Sequence, residues 1–136
     1  MKSMQLLEKF YRNESCDSSI IKKIEIELGK VFSKDYVDFL FWSNGGEGEI
    51  GENYISFWRC EDIVQLNKDY SIQKYLAENF VAFGTDGGGE CYAFDYSIPQ
   101  KPKIVKCSLC ALDINELIFI ADTFTEFVEV LKYRDV

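Results

Sequence analysis

Two cysteines in the last third of the chain have a spacing that could do chemistry. Cys107 and Cys110 form a C-x-x-C pair, the spacing of many structural zinc sites and of thioredoxin-like redox sites. A structural zinc site needs four ligands, and the chain has no second such pair and no histidine. A redox site of this type begins a helix in a βαβ unit, and only the preceding strand is predicted here. The pattern therefore favours two ordinary thiols.

The lack of histidine also removes whole classes of enzyme. Ser-His-Asp and Cys-His nucleophilic sites are excluded, and so is the commonest metal ligand. A catalytic cysteine would need a neighbouring lysine or a helix N-terminus to activate it, and the sequence around the five cysteines offers neither convincingly. We expect no enzyme activity, no catalytic residue, no cofactor and no metal. A reaction that uses Cys107 and Cys110 stays as the enzymatic alternative.

The glycine-rich segment 84–89 could bind phosphate or form a turn. Its sequence, Gly84-Thr-Asp86-Gly87-Gly88-Gly89, lacks the Gly-Lys-Ser/Thr ending of a P-loop and is not G-x-G-x-x-G. No helical pattern follows it, so no helix N-terminus would hold an anion. Apolar residues precede it and an alternating pattern follows it, which predicts a tight turn between two antiparallel strands. We expect the three consecutive glycines, Gly87–Gly89, to supply positive-φ positions, with a structural role for Gly84, Asp86 and Gly87–Gly89.

The acidic side chains could bind a partner, or they could simply be the solvated charges of exposed turns. The sequence contains no D-x-D-x-D-G loop of the kind that binds calcium. Sequence spacing alone does not show that two carboxylates lie close enough for acid–base catalysis. Residues 45–52 interleave four glycines with three glutamates, just before a strand with Phe57 and Trp58. This predicts a flexible acidic loop beside aromatic residues, a typical setting for partner binding. The candidate contact residues are Glu47, Glu49, Glu52, Trp58, Asp86 and Glu90.

Charge and composition restrict the partner. The 136 residues carry a net charge of -8, and the acidic excess lies after residue 34. This argues against nucleic acid and anionic membranes as partners, and it favours a basic protein. A 47% hydrophobic content excludes disorder and suits one domain over residues 1–136. An odd number of cysteines and no apolar leader at Met1 predict reduced thiols and a cytoplasmic location.

The hydrophobic pattern predicts helices at both ends and strands between them. The first predicted helix is short and contains Leu6, Leu7, Phe10 and Tyr11, and the second is capped by Asp17 or Ser18 and ends near Gly29. The third extends from Lys34 to about Ser43, with Ser33 as its cap and Asn44-Gly45-Gly46 as its end. Short helices are predicted over 61–68 and 71–78, and a last helix follows the capping box Thr123-x-x-Glu126. The predicted strands are 54–58, 80–84, 91–96, 103–107 and 117–120.

Four segments in order resemble the signature elements of one family. They are Ile21-x-x-Ile24-Glu25-x-x-Leu28-Gly29, then Asp35-Tyr36-x-x-Phe39-Leu40-x-x-Ser43-Asn44-Gly45-Gly46, then residues 83–89 followed by Phe94-Asp95, and residues 120–127. The family is the SUKH superfamily, which includes the Smi/Knr-type fungal regulators of cell-wall synthesis. It usually has a proline before the Asp-Tyr helix, whereas residues 31–34 here contain none.

The resemblance implies both a fold and a function. The implied fold is α+β, one domain with an antiparallel sheet flanked by N-terminal helices and a C-terminal helix. Many bacterial members resemble immunity proteins that bind and block a cognate polymorphic toxin, such as a nuclease. The implied partner is therefore a protein, a basic toxin domain. The fungal members imply the alternative, an intracellular scaffold or regulatory adaptor with several partners.

Overall fold

A computed structural model describes residues 8–136 of the chain, which form a seven-stranded antiparallel sheet. The strands lie side by side in the order in which they occur along the chain. They are β1 (Phe10–Arg12), β2 (Gly46–Ile50), β3 (Asn53–Phe57), β4 (Phe80–Thr85), β5 (Glu90–Asp95), β6 (Lys103–Ser108) and β7 (Ile118–Ala121). The predicted α+β fold with one antiparallel sheet is thus confirmed.

Helices lie between β1 and β2, between β3 and β4, and after β7. They are α1 (Ser18–Leu28), α2 (Lys34–Trp42), α3 (Ile63–Asp69), α4 (Ile72–Tyr75) and α5 (Phe124–Tyr133), with 3₁₀ turns at Cys60–Asp62 and Ile114–Glu116. The segment predicted as a helix over 61–68 is the first 3₁₀ turn followed by α3. The one predicted over 71–78 is shorter, as α4. Within residues 8–136, no helix is long and apolar enough to cross a membrane.

Local capping signals set the ends of α1 and the start of α5. The Asp17 carboxylate accepts a hydrogen bond from the backbone N–H of Ser19, and Gly29 ends α1 in the left-handed conformation with φ 66°. At α5, the Thr123 hydroxyl accepts the backbone N–H of Glu126. These side chains satisfy helix N–H groups that lack an intrahelical partner. The predictions for both helix starts are therefore confirmed.

The ends of α2 differ from the prediction. Ser33 precedes the helix, but its hydroxyl donates to the Asp35 carboxylate and makes no capping bond to the helix backbone. At the other end, Ser43 is the C-cap and is extended, with φ -158°. The left-handed residue is Gly45, two positions later, with φ 76°. The Asn-Gly-Gly segment therefore follows the end of the helix and leads directly into β2.

A cluster of aromatic side chains fills the space between the sheet and α2 and α5. Phe83 and Phe94 stack with ring centroids 4.3 Å apart, and Phe39 of α2 lies 4.6 Å from Phe57 of β3. Phe127 of α5 is fully buried against the same group. Burying such rings contributes about 2–3 kcal/mol each, so this cluster dominates the stability of the domain.

The predicted N-terminal helix is wrong at Phe10 and Tyr11. These residues belong to β1, where Phe10 pairs with Gly48 and Tyr11 with Glu47. Phe10 is buried and stacks on Trp42 at 6.0 Å. Pairing with β2, together with this burial, overrides the local helical spacing of apolar residues. Leu6 and Leu7, which were predicted on the same helix, lie outside the described residues.

Asn67 of α3 holds the helix to the middle of the sheet. Its side-chain amide donates to the carbonyl groups of Ile63 and Ala82, and its oxygen accepts the backbone N–H of Ala82 and the side chain of Gln73. Only 2% of the residue is exposed. The side chain therefore satisfies buried backbone groups of β4 that water does not reach.

We expect the substitution Asn67→Ala to lower the free energy of unfolding by about 3 kcal/mol, since it leaves the Ala82 N–H and C=O groups without this partner. Chemical denaturation measures the change. Gln65→Ala is the matched control, because Gln65 is exposed on the same helix, and its effect should stay within about 0.5 kcal/mol. Equal effects for the two substitutions would contradict this role of Asn67.

Candidate partner-binding surface

The acidic segment 45–52 is a strand and a turn, which corrects the predicted flexible loop. β2 covers Gly46–Ile50 and pairs along its length with β3, while Gly46, Glu47 and Gly48 also pair with β1. Its side chains alternate, so Glu47 and Glu49 are exposed while Gly48 and Ile50 are buried. The loop prediction failed because glycine is unfavourable in strands, whereas here close backbone approaches require it.

Gly48 shows why the strand contains glycine. A Cβ atom there would lie 2.2 Å from the Lys9 carbonyl oxygen and 2.7 Å from the Cα of Phe10. These distances are well inside van der Waals contact, so only glycine lets β1 approach β2 this closely. The glutamates are therefore displayed from a rigid, internally paired strand, with both neighbours held by hydrogen bonds.

Tyr54 joins the acidic strand to the glycine-rich turn. It lies opposite Glu49 in the register of β2 and β3, and its hydroxyl donates a short hydrogen bond to the Glu47 carboxylate. This bond raises the pKa of the Tyr54 hydroxyl, because the phenolate would lose it and face a negative charge. The Tyr54 ring also covers Gly87, where a Cβ atom would lie 2.9 Å from Cδ1 of the ring.

We call Glu47, Glu49, Tyr54 and the adjoining turn 86–89 the acidic face. Tyr11 lies next to it, opposite Glu47 in the register of β1 and β2, and is 73% exposed. Sequence reasoning missed both tyrosines, although the alternation of β3 places Tyr54 on the same side as the glutamates. Tyrosine is enriched in protein–protein interfaces, where its ring and hydroxyl bind with little loss of conformational entropy.

One nearby cation reduces the charge of this surface slightly. Lys9 lies 3.5 Å from the Glu49 carboxylate, and the two side chains are 77% and 48% exposed. Exposed pairs of this kind are weak, since water and salt screen them. Glu47 makes its bond to a neutral hydroxyl, so its negative charge is fully available to a partner.

Asp86 has a structural task in the turn between β4 and β5. Its Oδ1 accepts the backbone N–H groups of Gly88 and Glu90 at 2.8 and 3.1 Å. Gly87 and Gly89 have positive φ, at 78° and 103°. Gly88 does not, which corrects the expectation for three consecutive glycines. Asp86 therefore fixes the turn that carries one side of the acidic face.

Gly84 is required for a different reason. Its φ is not positive, but a Cβ atom would lie 2.7 Å from the Ser56 carbonyl oxygen on β3. The backbone of β4 passes so close to β3 that a side chain does not fit. At Gly84 glycine is therefore required by this close approach and not by its backbone conformation.

The segment Asn44-Gly45-Gly46 connects α2 to the sheet. The side-chain oxygen of Asn44 accepts the backbone N–H of Cys60, and its amide donates to Glu61. A Cβ atom at Gly45 would lie 2.6 Å from the Phe57 carbonyl oxygen, and one at Gly46 would lie 2.8 Å from that of Tyr11. These residues hold β2 between its neighbours.

The remaining candidates do not all share one location. Glu52 is exposed in the β2–β3 turn, which packs on the end of α5: a Cβ atom at Gly51 would lie 2.5 Å from the Lys132 carbonyl oxygen. Glu90 is half-buried at the start of β5. Trp58 is only 9% exposed and stacks on Tyr70 at 5.9 Å. The structure thus places Trp58 in the core, where it offers little surface to a partner.

One cleft contains two hydroxyl groups. It has a volume of about 520 Å³ and is lined in part by Ser33, Asp35, Lys101 and Thr123. Both hydroxyl groups are engaged: Ser33 donates to Asp35, and Thr123 accepts the N–H that caps α5. The Asp35 carboxylate also accepts the backbone N–H groups of Tyr36 and Thr125, so it serves as a hydrogen-bond acceptor near the starts of α2 and α5. Among residues 8–136, no three potential ligands are grouped to hold a metal ion.

A family model described as the SMI1 / KNR4 family (SUKH-1) matches residues 15–130. No curated protein is significantly similar to the chain. The matched stretch contains α1 to β7, most of α5 and the whole of the acidic face, and Tyr11 beside that face lies outside the match. The chain belongs to the SMI1 / KNR4 family (SUKH-1).

Proposed function

We propose that the chain is an immunity protein, which binds a cognate toxin and neutralises it in a stoichiometric complex. The partner in this proposal is a basic protein domain, such as the nucleic-acid-binding domain of a nuclease toxin. The observation that carries the proposal is the acidic face, where Glu47 and Glu49 are displayed around Tyr54 on paired strands. Family membership supports it, since the resemblance implies this role for many bacterial members.

Charge complementarity favours binding of a basic partner. Nuclease domains bind phosphates with lysine and arginine side chains. An acidic protein with a net charge of -8 attracts such a surface over distances near the Debye length, about 8–10 Å. The same charge disfavours nucleic acid and anionic membranes as partners of this chain. The proposed place of action is the cytoplasm.

Rigidity of the acidic face favours binding without turnover. Glu47, Glu49 and Tyr54 lie on strands that are paired on both sides, so little conformational entropy is lost when a partner docks. The proposal needs no nucleophile and no cofactor. Inhibition would follow from covering the phosphate-binding surface of the toxin.

The experiment that tests the proposal is affinity capture of the tagged chain from its native host at moderate salt. We expect one dominant protein with a basic, toxin-like domain, recovered in roughly equimolar amount. The matched control is the chain in which Glu47 and Glu49 of the acidic face and Glu52 of the turn after β2 are changed to lysine, which should capture much less of it. Equal capture by the two chains would contradict the assignment of this acidic segment.

A second candidate function is a regulatory adaptor, as the fungal relatives suggest. The observation that favours it is a separate apolar surface around the strand β7, at the edge of the sheet. Ile118 and Phe119 are 57% and 54% exposed there, and Tyr133 of α5 is 78% exposed. Exposed apolar groups of this size are typical of additional interaction sites. Capture of several housekeeping proteins would favour this candidate over immunity.

A further inference from the structure

Two buried cysteines lie opposite each other on the neighbouring strands β5 and β6. Cys91 lies directly opposite Cys107 in the antiparallel register. Their sulfur atoms are 2.8 Å apart, and the residues are 0% and 4% exposed. Cys110, the other member of the C-x-x-C motif, is exposed and takes no part in this contact. The residue that contacts Cys107 is therefore Cys91 and not the neighbouring cysteine of the C-x-x-C motif.

We propose that Cys91 and Cys107 are an oxidisable pair, which a peroxide converts into a disulfide linking β5 to β6. Opposite residues of antiparallel strands have Cα atoms about 4.5 or 5.5 Å apart, and both values fit a disulfide. The sulfur atoms need to approach by less than about 1 Å to reach the bonded distance near 2.05 Å. This closure needs only small side-chain movement, because the strands already set the geometry.

The hydrogen bond between the two thiols shifts their pKa values in opposite directions. It raises the pKa of Cys91, with burial adding to the shift, and it lowers the pKa of Cys107, against the effect of burial. Either sulfur can donate this hydrogen bond, and these directions correspond to the state in which Cys91 holds the proton. Cys107 is also the more exposed of the two residues, at 4% against 0%, so oxidation begins at its sulfur and Cys91 completes the disulfide.

The oxidation balances in two steps. The Cys107 thiolate attacks one oxygen of hydrogen peroxide, the O–O bond breaks, and the hydroxide that leaves takes up a proton as water. The sulfur of Cys91 then attacks the sulfenic acid at Cys107 and displaces its hydroxyl group, which leaves with the Cys91 proton as a second water. The two thiols lose two electrons, and the peroxide gains them.

A second cysteine pair serves as an internal comparison. Cys16 and Cys60 are also buried, and the Cys16 thiol donates to the Asp17 carbonyl at 3.6 Å. Burial is the main cause that raises the pKa of both thiols, so both favour the protonated form over the reactive thiolate. A peroxide should therefore oxidise Cys107 in preference to these two residues.

The test uses the full chain with Cys110→Ser, which removes the exposed thiol and leaves the buried ones. The reduced protein is treated with hydrogen peroxide, alkylated in denaturant and digested with trypsin, which cuts after Lys103 and Lys106, between the two cysteines. We expect a peptide pair joined through Cys91 and Cys107, with the loss of alkylation at both. Cys16 and Cys60 should remain alkylated.

Other results would overturn the proposal. Full alkylation of Cys91 and Cys107 after treatment, or a link between Cys16 and Cys60 alone, would show that the cross-strand pair is not the oxidisable one. A second variant, Cys107→Ala in the same background, should leave Cys91 reduced. If Cys91 is lost from the alkylated pool in that variant as fast as before, it reacts independently of Cys107, which also contradicts the proposal.

Discussion

Replacing Gly45 by alanine is expected to lower the free energy of unfolding by more than about 2 kcal/mol. Gly45 has φ 76°, a left-handed conformation that costs other residues about 1–2 kcal/mol. Its added Cβ atom would also lie 2.6 Å from the Phe57 carbonyl oxygen and 2.8 Å from that of Trp58. These are backbone atoms of the neighbouring strand, and they move only if β2 and β3 separate.

The matched control is Gly88→Ala in the glycine-rich turn. Gly88 does not have a positive φ, and its added Cβ atom would lie 3.5 Å from the nearest atom, Oδ1 of Asp86. We expect its free energy of unfolding to stay within about 0.5 kcal/mol of the natural chain. Urea denaturation of the three proteins measures both changes. Similar midpoints for Gly45→Ala and Gly88→Ala would contradict this account of the Asn-Gly-Gly segment.

The second large effect is expected on association with a basic partner. Changing Glu47, Glu49 and Glu52 together to lysine should slow association by about tenfold or more at low salt, because the steering field is reversed at the contact. The dependence of the association rate on ionic strength should weaken or change sign. Stopped-flow or surface-based kinetics over a salt series, with the captured partner, measures both quantities.

The control for this effect keeps the change in net charge and moves it elsewhere. Glu27, Glu78 and Glu116 are exposed and lie outside the acidic face. Their joint replacement by lysine alters the net charge of the chain equally, so it reports long-range attraction alone. A smaller effect than that of the first triple variant is expected. Equal slowing by the two variants would show that the total charge matters and the acidic face does not.

Local signals account for the parts of the fold that the sequence predicted well. Asp17 and Gly29 set the two ends of α1, because each makes its capping interaction within a few residues. The hairpin of β4 and β5 follows from an apolar run, a glycine-rich turn and an alternating run. The family resemblance implies that these elements form one antiparallel sheet, and the family match over 15–130 agrees with it.

Non-local pairing explains what the sequence did not predict. The strand at Phe10 exists because it pairs with Gly48, 38 positions further along the chain. The contact of Tyr54 with Glu47 and Gly87 depends on the register of three strands, and the contact of Cys91 with Cys107 depends on the register of β5 and β6. A pattern within one segment carries no information about such a register. The acidic strand was predicted as a loop because glycine is unfavourable in strands, and only the close approach of the neighbouring strands requires glycine there.

An immunity protein neutralises its toxin by binding it. This is measured by titrating the captured partner's own activity, nuclease activity in the case of a nuclease, with the purified chain. We expect complete inhibition at an equimolar ratio, and a clear loss of inhibition when Glu47, Glu49 and Glu52 are changed to lysine. Unchanged activity of the partner at a saturating concentration of the natural chain would contradict it.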